Sequence, residues 1–176
     1  RDGSGVNYDD VGFTSDGTTW ESDVLPEGGI VSGANFAVIS KGNDLFVFGT
    51  ATLGGVPAAY KRDSSGWSTL TTPIYGGESS FAFEILNGTM YLAGGIDVTQ
   101  TSVTNSIYYT INGETWNSAT GAFNPRAFAS MVNVGNRLYL FGGNTLLTRL
   151  GDVWKSTDGL AFEQATTETG YLPRSS

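Results

Sequence analysis

The sequence predicts an all-β fold, an incomplete β-propeller of four-stranded blades, and three series of landmarks carry that prediction. The first is an apolar strand closed by glycine: Leu45-Phe-Val-Phe-Gly-Thr50, Met90-Tyr-Leu-Ala-Gly-Gly95 and Leu138-Tyr-Leu-Phe-Gly-Gly143. Their first glycines, Gly49, Gly94 and Gly142, lie 45 and 48 residues apart. Upstream of each stands an aromatic followed by alanine, Phe36-Ala37, Phe81-Ala82 and Phe128-Ala129, spaced by 45 and 47. Downstream, Trp20, Trp67, Trp116 and Phe162 recur at intervals of 47, 49 and 46. Three independent series on one beat make a repeat of one blade each.

Taken in order, residues 1–30 supply the outer half of a blade ending in Thr19-Trp20-Glu21, and 31–75, 76–122 and 123–169 are complete blades. Residues 170–176 begin another. The third complete copy shows the pattern best. Phe128 to Val134 and Arg137 to Phe141 read as a hairpin across Gly135-Asn136, a turn-prone pair. Gly142 and Gly143 then end the second strand, like Gly94 and Gly95 before them, where a side chain would clash or φ must be positive. A polar loop leads to the strand Asp152-Val-Trp-Lys-Ser-Thr157, and a turn at Asp158-Gly159 delivers Ala161-Phe-Glu-Gln-Ala165. No segment carries the 3.6-residue period of a helix.

Composition narrows the chemistry. With no cysteine and no histidine among its 176 residues, the chain holds no thiol catalyst, disulfide or Ser-His-Asp relay, and no ordinary zinc site. Asp9-Asp10 and Asp2-Gly-Ser-Gly5 lack the dense ligand spacing of an EF-hand, so no metal or cofactor is implied. A net charge of −8 with nine scattered Lys and Arg argues against nucleic acid. No apolar run approaches the roughly 18 residues that span a bilayer. Arg1 is not an initiator Met, so a trimmed chain is expected. Zero Cys does not fix the compartment, and the Thr, Ser, Gly and Asn-rich surface leans to an extracytoplasmic setting: periplasmic, cell-surface or secreted.

Pro125-Arg126, the strand to Val134, Asn136-Arg-Leu-Tyr-Leu-Phe-Gly-Gly143 and Asp152-Val-Trp154 resemble a full kelch repeat, and Pro173-Arg174 restarts the motif 48 residues after Pro125-Arg126. The earlier copies depart from it: Thr50 replaces the second glycine of the first, and neither carries Pro-Arg. The resemblance covers nearly the whole chain and implies a propeller, whose members include enzymes and binding modules alike. A second resemblance overlaps it. Thr14-Ser-Asp16-Gly-Thr-Thr-Trp20, Thr110-Ile-Asn112-Gly-Glu-Thr-Trp116 and Ser156-Thr-Asp158-Gly-Leu-Ala-Phe162 resemble shortened Asp boxes of sialidase-like propellers. There Asp16, Asn112 and Asp158 would cap their own turns while the aromatic packs between blades.

About three and a half blades fall short of the usual four to eight. Three closures are open: a longer chain supplying the missing blades, two copies forming a seven-bladed ring, or a small four-bladed ring. The candidate ligand-binding residues are Arg126, Arg174 and Glu84. The arginines sit at matched entries to the inner strand, where each would bind a carboxylate or sugar hydroxyls, or else tie neighbouring blades through backbone carbonyls. The matched positions in earlier blades are Ala34 and Ser79, so a sialidase-type arginine triad is absent from this stretch. Glu84 is the lone acid in the strand Phe81-Ala-Phe-Glu-Ile-Leu86, either a buried acid–base group or a solvated channel carboxylate. The outer aromatics Tyr8, Tyr60, Tyr108, Tyr109 and Trp154 read as filling between sheets rather than as a sugar platform. With no catalytic constellation in view, the expected function is a non-enzymatic recognition module binding a glycan or protein partner. The alternatives are a sugar-active propeller enzyme resembling sialic-acid mutarotases or sialidases, and a purely architectural subunit.

Overall fold

Turn chemistry sets the register of each sheet. Asn87-Gly88 and Gly135-Asn136 both place two consecutive residues in the left-handed region, with φ of 50° and 77° and of 59° and 60°. That twist matches the right-handed twist of the flanking strands and closes a two-residue hairpin. A computed structural model describes residues 10–24, 37–50, 57–70, 80–97, 99 and 101–166. Within them lie fourteen strands in chain order and no helix.

The strands β1 (Asp10–Phe13) and β2 (Glu21–Val24) pair with each other. Then come three four-stranded antiparallel meanders. The first holds β3 (Ala37–Lys41), β4 (Asp44–Thr50), β5 (Pro57–Asp63) and β6 (Gly66–Thr69). The second holds β7 (Ala82–Leu86), β8 (Thr89–Ala93), β9 (Ser106–Thr110) and β10 (Asn117–Thr120). The third holds β11 (Ser130–Asn133), β12 (Leu138–Phe141), β13 (Val153–Ser156) and β14 (Glu163–Thr166). The leading strand of each meander is innermost, and β7 packs between β3 and β11.

One strand starts later than its sequence suggests. Phe128 reads as β-forming, yet it takes φ +57° and the ladder begins only at Ser130. A bulky residue seldom adopts that region, so its neighbours must hold it there.

The blades stack by apolar faces. Phe46, Phe48 and Leu70 of the first meander bury against Met90, Leu92, Tyr108 and Trp116 of the second. Tyr91, Ala93 and Ile107 of the second bury against Leu138, Leu140 and Phe162 of the third. Alternation along β8 therefore sends Met90 and Leu92 one way and Tyr91 and Ala93 the other. Each large side chain so covered contributes about 2–3 kcal/mol.

The polar turn between the third and fourth strands locks this stacking. The carboxylate Oδ1 of Asp158 accepts from the Leu160 and Ala161 amides at 2.9 and 2.8 Å, and Ser156 Oγ accepts from the Gly159 amide at 2.9 Å. The same pattern appears at Asn112, with Glu114 and Thr115 amides at 3.0 and 2.9 Å, and at Asp16, with Thr18 and Thr19 at 2.8 and 2.7 Å. In the first full meander a tighter turn at Asp63 replaces it, Ser65 donating both Oγ–H and N–H to the carboxylate.

The turn rides on an aromatic of the preceding blade. A Cβ on Gly159, which has φ +79°, would stand 2.3 Å from the Tyr91 ring, and Tyr91 Oη donates to the Asp158 carbonyl at 2.9 Å. One blade earlier, a Cβ on Gly113 would stand 2.9 Å from the Phe46 ring, and Lys41 Nζ donates to the Ile111 carbonyl. Glycine is required here because the ring occupies the space that a side chain would need.

Backbone amides donated to Asp158 hold its carboxyl below the ordinary value of 3.8, and those donated to Asp16 do the same more strongly. Because these folded-state values are depressed, their stabilisation is complete above the ordinary carboxylate range and is lost as pH falls towards them. Asn112 does the same structural work without a charge. The double variant Asp16→Asn/Asp158→Asn should therefore keep the fold at neutral pH and flatten the loss of stability between about pH 4 and 2. Trp fluorescence across an acid titration of urea midpoints measures it.

Candidate functional site

The three inner strands β3, β7 and β11 form the wall of a groove of about 660 Å³. Its described lining is mostly apolar, with Val38, Phe83 and Phe128 exposing rings and methyls and Ser40 and Ser130 adding hydroxyls. Glu84 is the charged side chain among the described lining residues.

Glu84 is engaged rather than loose. Its Oε2 accepts from the Asn133 amide at 3.2 Å and its Oε1 from the Ile85 amide at 2.8 Å. Asn133 returns a bond, Nδ2 donating to the Ile85 carbonyl at 2.8 Å. The carboxylate thus ties β7 to β11 from within the groove. The sequence held no signal for this pairing, because Asn133 reads only as a polar end of its strand.

The groove wall is strained. Among the described residues four non-glycines have positive φ; Asn87 and Asn136 sit in hairpin turns, while Ser80, at 59°, and Phe128, at 57°, line the groove. The Phe128 amide donates to the Ser80 carbonyl at 3.0 Å, clasping adjacent blades at this point. Such conformations cost on the order of 1–3 kcal/mol each and cluster at ligand sites.

Arg126 stands elsewhere, fully buried between the second and third blades. Nη1 and Nη2 meet Asp152 Oδ1 and Oδ2 at 2.7 and 2.8 Å, a bidentate pair. Nη1 also donates to the Gly142 carbonyl at 2.9 Å and Nε to the Asn124 carbonyl at 3.0 Å. The guanidinium carbon lies 5.5 Å from the Phe123 ring centre. Burial alone would raise the Asp152 carboxyl, but Arg126 and the indole of Trp154, donating at 2.7 Å, bring it below the ordinary value.

The Arg126 backbone extends this clamp to the second blade. Its amide donates to the Thr104 carbonyl at 3.0 Å, and its carbonyl accepts from Gly95 at 2.8 Å. A Cβ on Gly94, with φ +71°, would stand 2.4 Å from that carbonyl oxygen. Gly142 and Gly143 have φ of 54° and 92° in the matching place of the third blade. Arg174 lies outside the described residues, as does Tyr8. Tyr60 and Tyr108 are buried, and Tyr109 and Trp154 pack half-buried against the second interblade core.

Among the described residues, no group of three or more His, Cys, Asp or Glu converges on a point, and no helix is long and apolar enough to cross a membrane. No protein-family model and no curated protein matches the chain. Among solved structures it is similar to that of YjhT, with 12% identity and a TM-score of 0.66 over 81% of this chain and 53% of YjhT. The chain thus spans about half the length of that protein. At this identity the likeness shows the fold alone, a β-propeller, whose ring the described sheets do not close.

Removing the guanidinium while leaving Asp152 buried should be costly, about 3–5 kcal/mol for a broken buried pair. Arg126→Met is therefore expected to unfold at much lower urea than the parent. Arg126→Met/Asp152→Leu should recover a large part of the loss, because the stranded charge is then gone. Urea midpoints of the two variants decide it.

Proposed function

We propose that the chain is a kelch-type propeller recognition module that binds a neutral glycan in the inner-strand groove, outside the cytoplasm. The observation that carries this reading is the strained pair Ser80 and Phe128 at the groove wall, which the fold holds through the bond between them, because backbone strain of this kind clusters at ligand sites. Aromatic rings beside serine hydroxyls suit a sugar, which offers apolar C–H faces and polar edges. Glu84 disfavours an anionic ligand: like charges about 4 Å apart repel by ~1–4 kcal/mol between bulk water and a protein surface. Arg126 does not line the groove and is paired with Asp152, so it does not offset that repulsion. The polar Thr, Ser and Asn content supports the extracytoplasmic setting.

Titration of the 176-residue chain with neutral and sialylated oligosaccharides, followed by NMR, tests the reading. Neutral glycans are expected to bind at least about tenfold more tightly, matching ~1.4 kcal/mol. Phe128→Gly keeps the left-handed backbone but deletes the ring, so it should abolish binding while leaving a folded spectrum. Binding confined to sialylated sugars, or turnover of one that Glu84→Gln abolishes, would overturn the proposal.

A further inference from the structure

Three hairpins occupy the same place in the repeat, joining the first two strands of each full blade. Their loops are Gly42-Asn43, Asn87-Gly88 and Gly135-Asn136, so the middle blade carries the two residues in reverse order. The reversal matters chemically, because the residue after an asparagine supplies the nitrogen that can attack its side-chain carbonyl carbon. After Asn43 and Asn136 come Asp44 and Arg137, whose side chains crowd that approach. After Asn87 comes glycine, which has none. Asn87 and Gly88 are both exposed, and a Cβ on Gly88 would meet nothing within 4 Å. Among the described residues, no hydrogen bond holds the Asn87 side chain or the Gly88 N–H.

The chain has a second Asn-Gly pair, and there the fold blocks the same route. Asn112 Oδ1 accepts from the Glu114 and Thr115 amides at 3.0 and 2.9 Å and from the Thr110 hydroxyl at 3.2 Å. The Gly113 N–H, which would have to attack, donates to Thr110 Oγ1 at 2.9 Å, and Gly113 is buried. Both reacting groups are already engaged, and these bonds must break before they can meet.

We propose that Asn87 is a site of spontaneous deamidation, with water as the co-reactant, and that the fold spares Asn112. The Gly88 nitrogen gives its proton to hydroxide and bonds to Asn87 Cγ. The Cγ–Nδ2 bond breaks and ammonia leaves, taking a proton from water, so that a five-membered succinimide remains. Water then opens the ring on either side. Cleavage at Cγ restores the ordinary main chain with an aspartate side chain, whereas cleavage at the main-chain carbonyl leaves isoaspartate and one more carbon in the main chain. The second product falls in a two-residue loop whose flanking pair is Leu86 with Thr89, in a register that sets Glu84 opposite Tyr91. It therefore lengthens the turn that fixes the register of β7, the middle strand of the groove wall.

The test incubates the full chain in mildly alkaline buffer and follows the peptides containing positions 87 and 112 by mass and by enzymatic methyl labelling of isoaspartate. Position 87 is expected to lose ammonia and then gain water, at a rate that rises with hydroxide. It should convert at least about tenfold faster than position 112, a difference of ~1.4 kcal/mol in barrier. Unfolding in urea should bring the two rates together, because the bonds around Asn112 are then gone. Asn87→Gly/Gly88→Asn, which restores the order found at Gly135-Asn136, should fold as the parent does and lose the isoaspartate signal of this hairpin. Equal rates at the two positions of the folded chain would overturn the proposal. So would an intact Asn87 over a period in which the urea-unfolded chain converts, or an isoaspartate signal that survives the exchange.

Discussion

A four-stranded sheet with apolar side chains on both faces cannot bury itself, and that constraint governs everything else in this molecule. Met90 and Leu92 point one way from β8 while Tyr91 and Ala93 point the other, each set buried against a different neighbouring blade, so neither face is a solvent face. The blade is stable only as one member of a stack. The Asx turn is the device that makes the stacking specific, because its glycine permits a contact with the Tyr91 ring that no side chain would allow. Dispersion and burial supply the energy, and the turn supplies the register.

Arg126 performs the polar half of the same task. Its side chain holds the third blade through Asp152 and Gly142, and its backbone holds the second through Thr104 and Gly95. A buried ion pair is a poor source of net stability, since desolvation offsets most of the attraction. Here its value is geometric: a bidentate fork with further bonds to carbonyls fixes angle as well as distance. The groove wall is separate from this clamp and, among the described residues, has Glu84 as its charge.

Much of the fold was legible because its cause is periodic. Landmarks such as Trp116 and Phe162 recur with the blade, and Asn87-Gly88 and Gly135-Asn136 mark hairpins by their own torsional preferences. The interior of the site was less legible, for a reason seen at Phe128. Its β propensity argues for a strand, and only the neighbouring Ser80 carbonyl, 48 residues earlier, reveals why it turns left-handed instead. Arg126 shows the same limit. Its recurrence with the repeat favoured a blade tie over a ligand contact, and the partner that separates them, Asp152, reads as the first residue of a strand. Side chains whose role depends on a partner in another strand or another repeat carry no local signature.

The seams also differ in a way that bears on specificity. Between the first and second blades the ring under the turn is Phe46, which has no hydroxyl, and Lys41 reaches the Ile111 carbonyl in its place. Between the second and third, Tyr91 makes the bond to the turn itself. A ring alone is tolerant of whatever apolar surface meets it, whereas a hydroxyl aimed at one carbonyl rejects surfaces that leave it unpaired. Tyr139 retains the hydroxyl form on the outward face of β12. An exposed apolar face of this kind is ordinarily a liability for uncontrolled association. The Phe46 seam relies on a lysine from a neighbouring strand, whereas the Tyr91 seam carries its discriminating group on the strand that forms it.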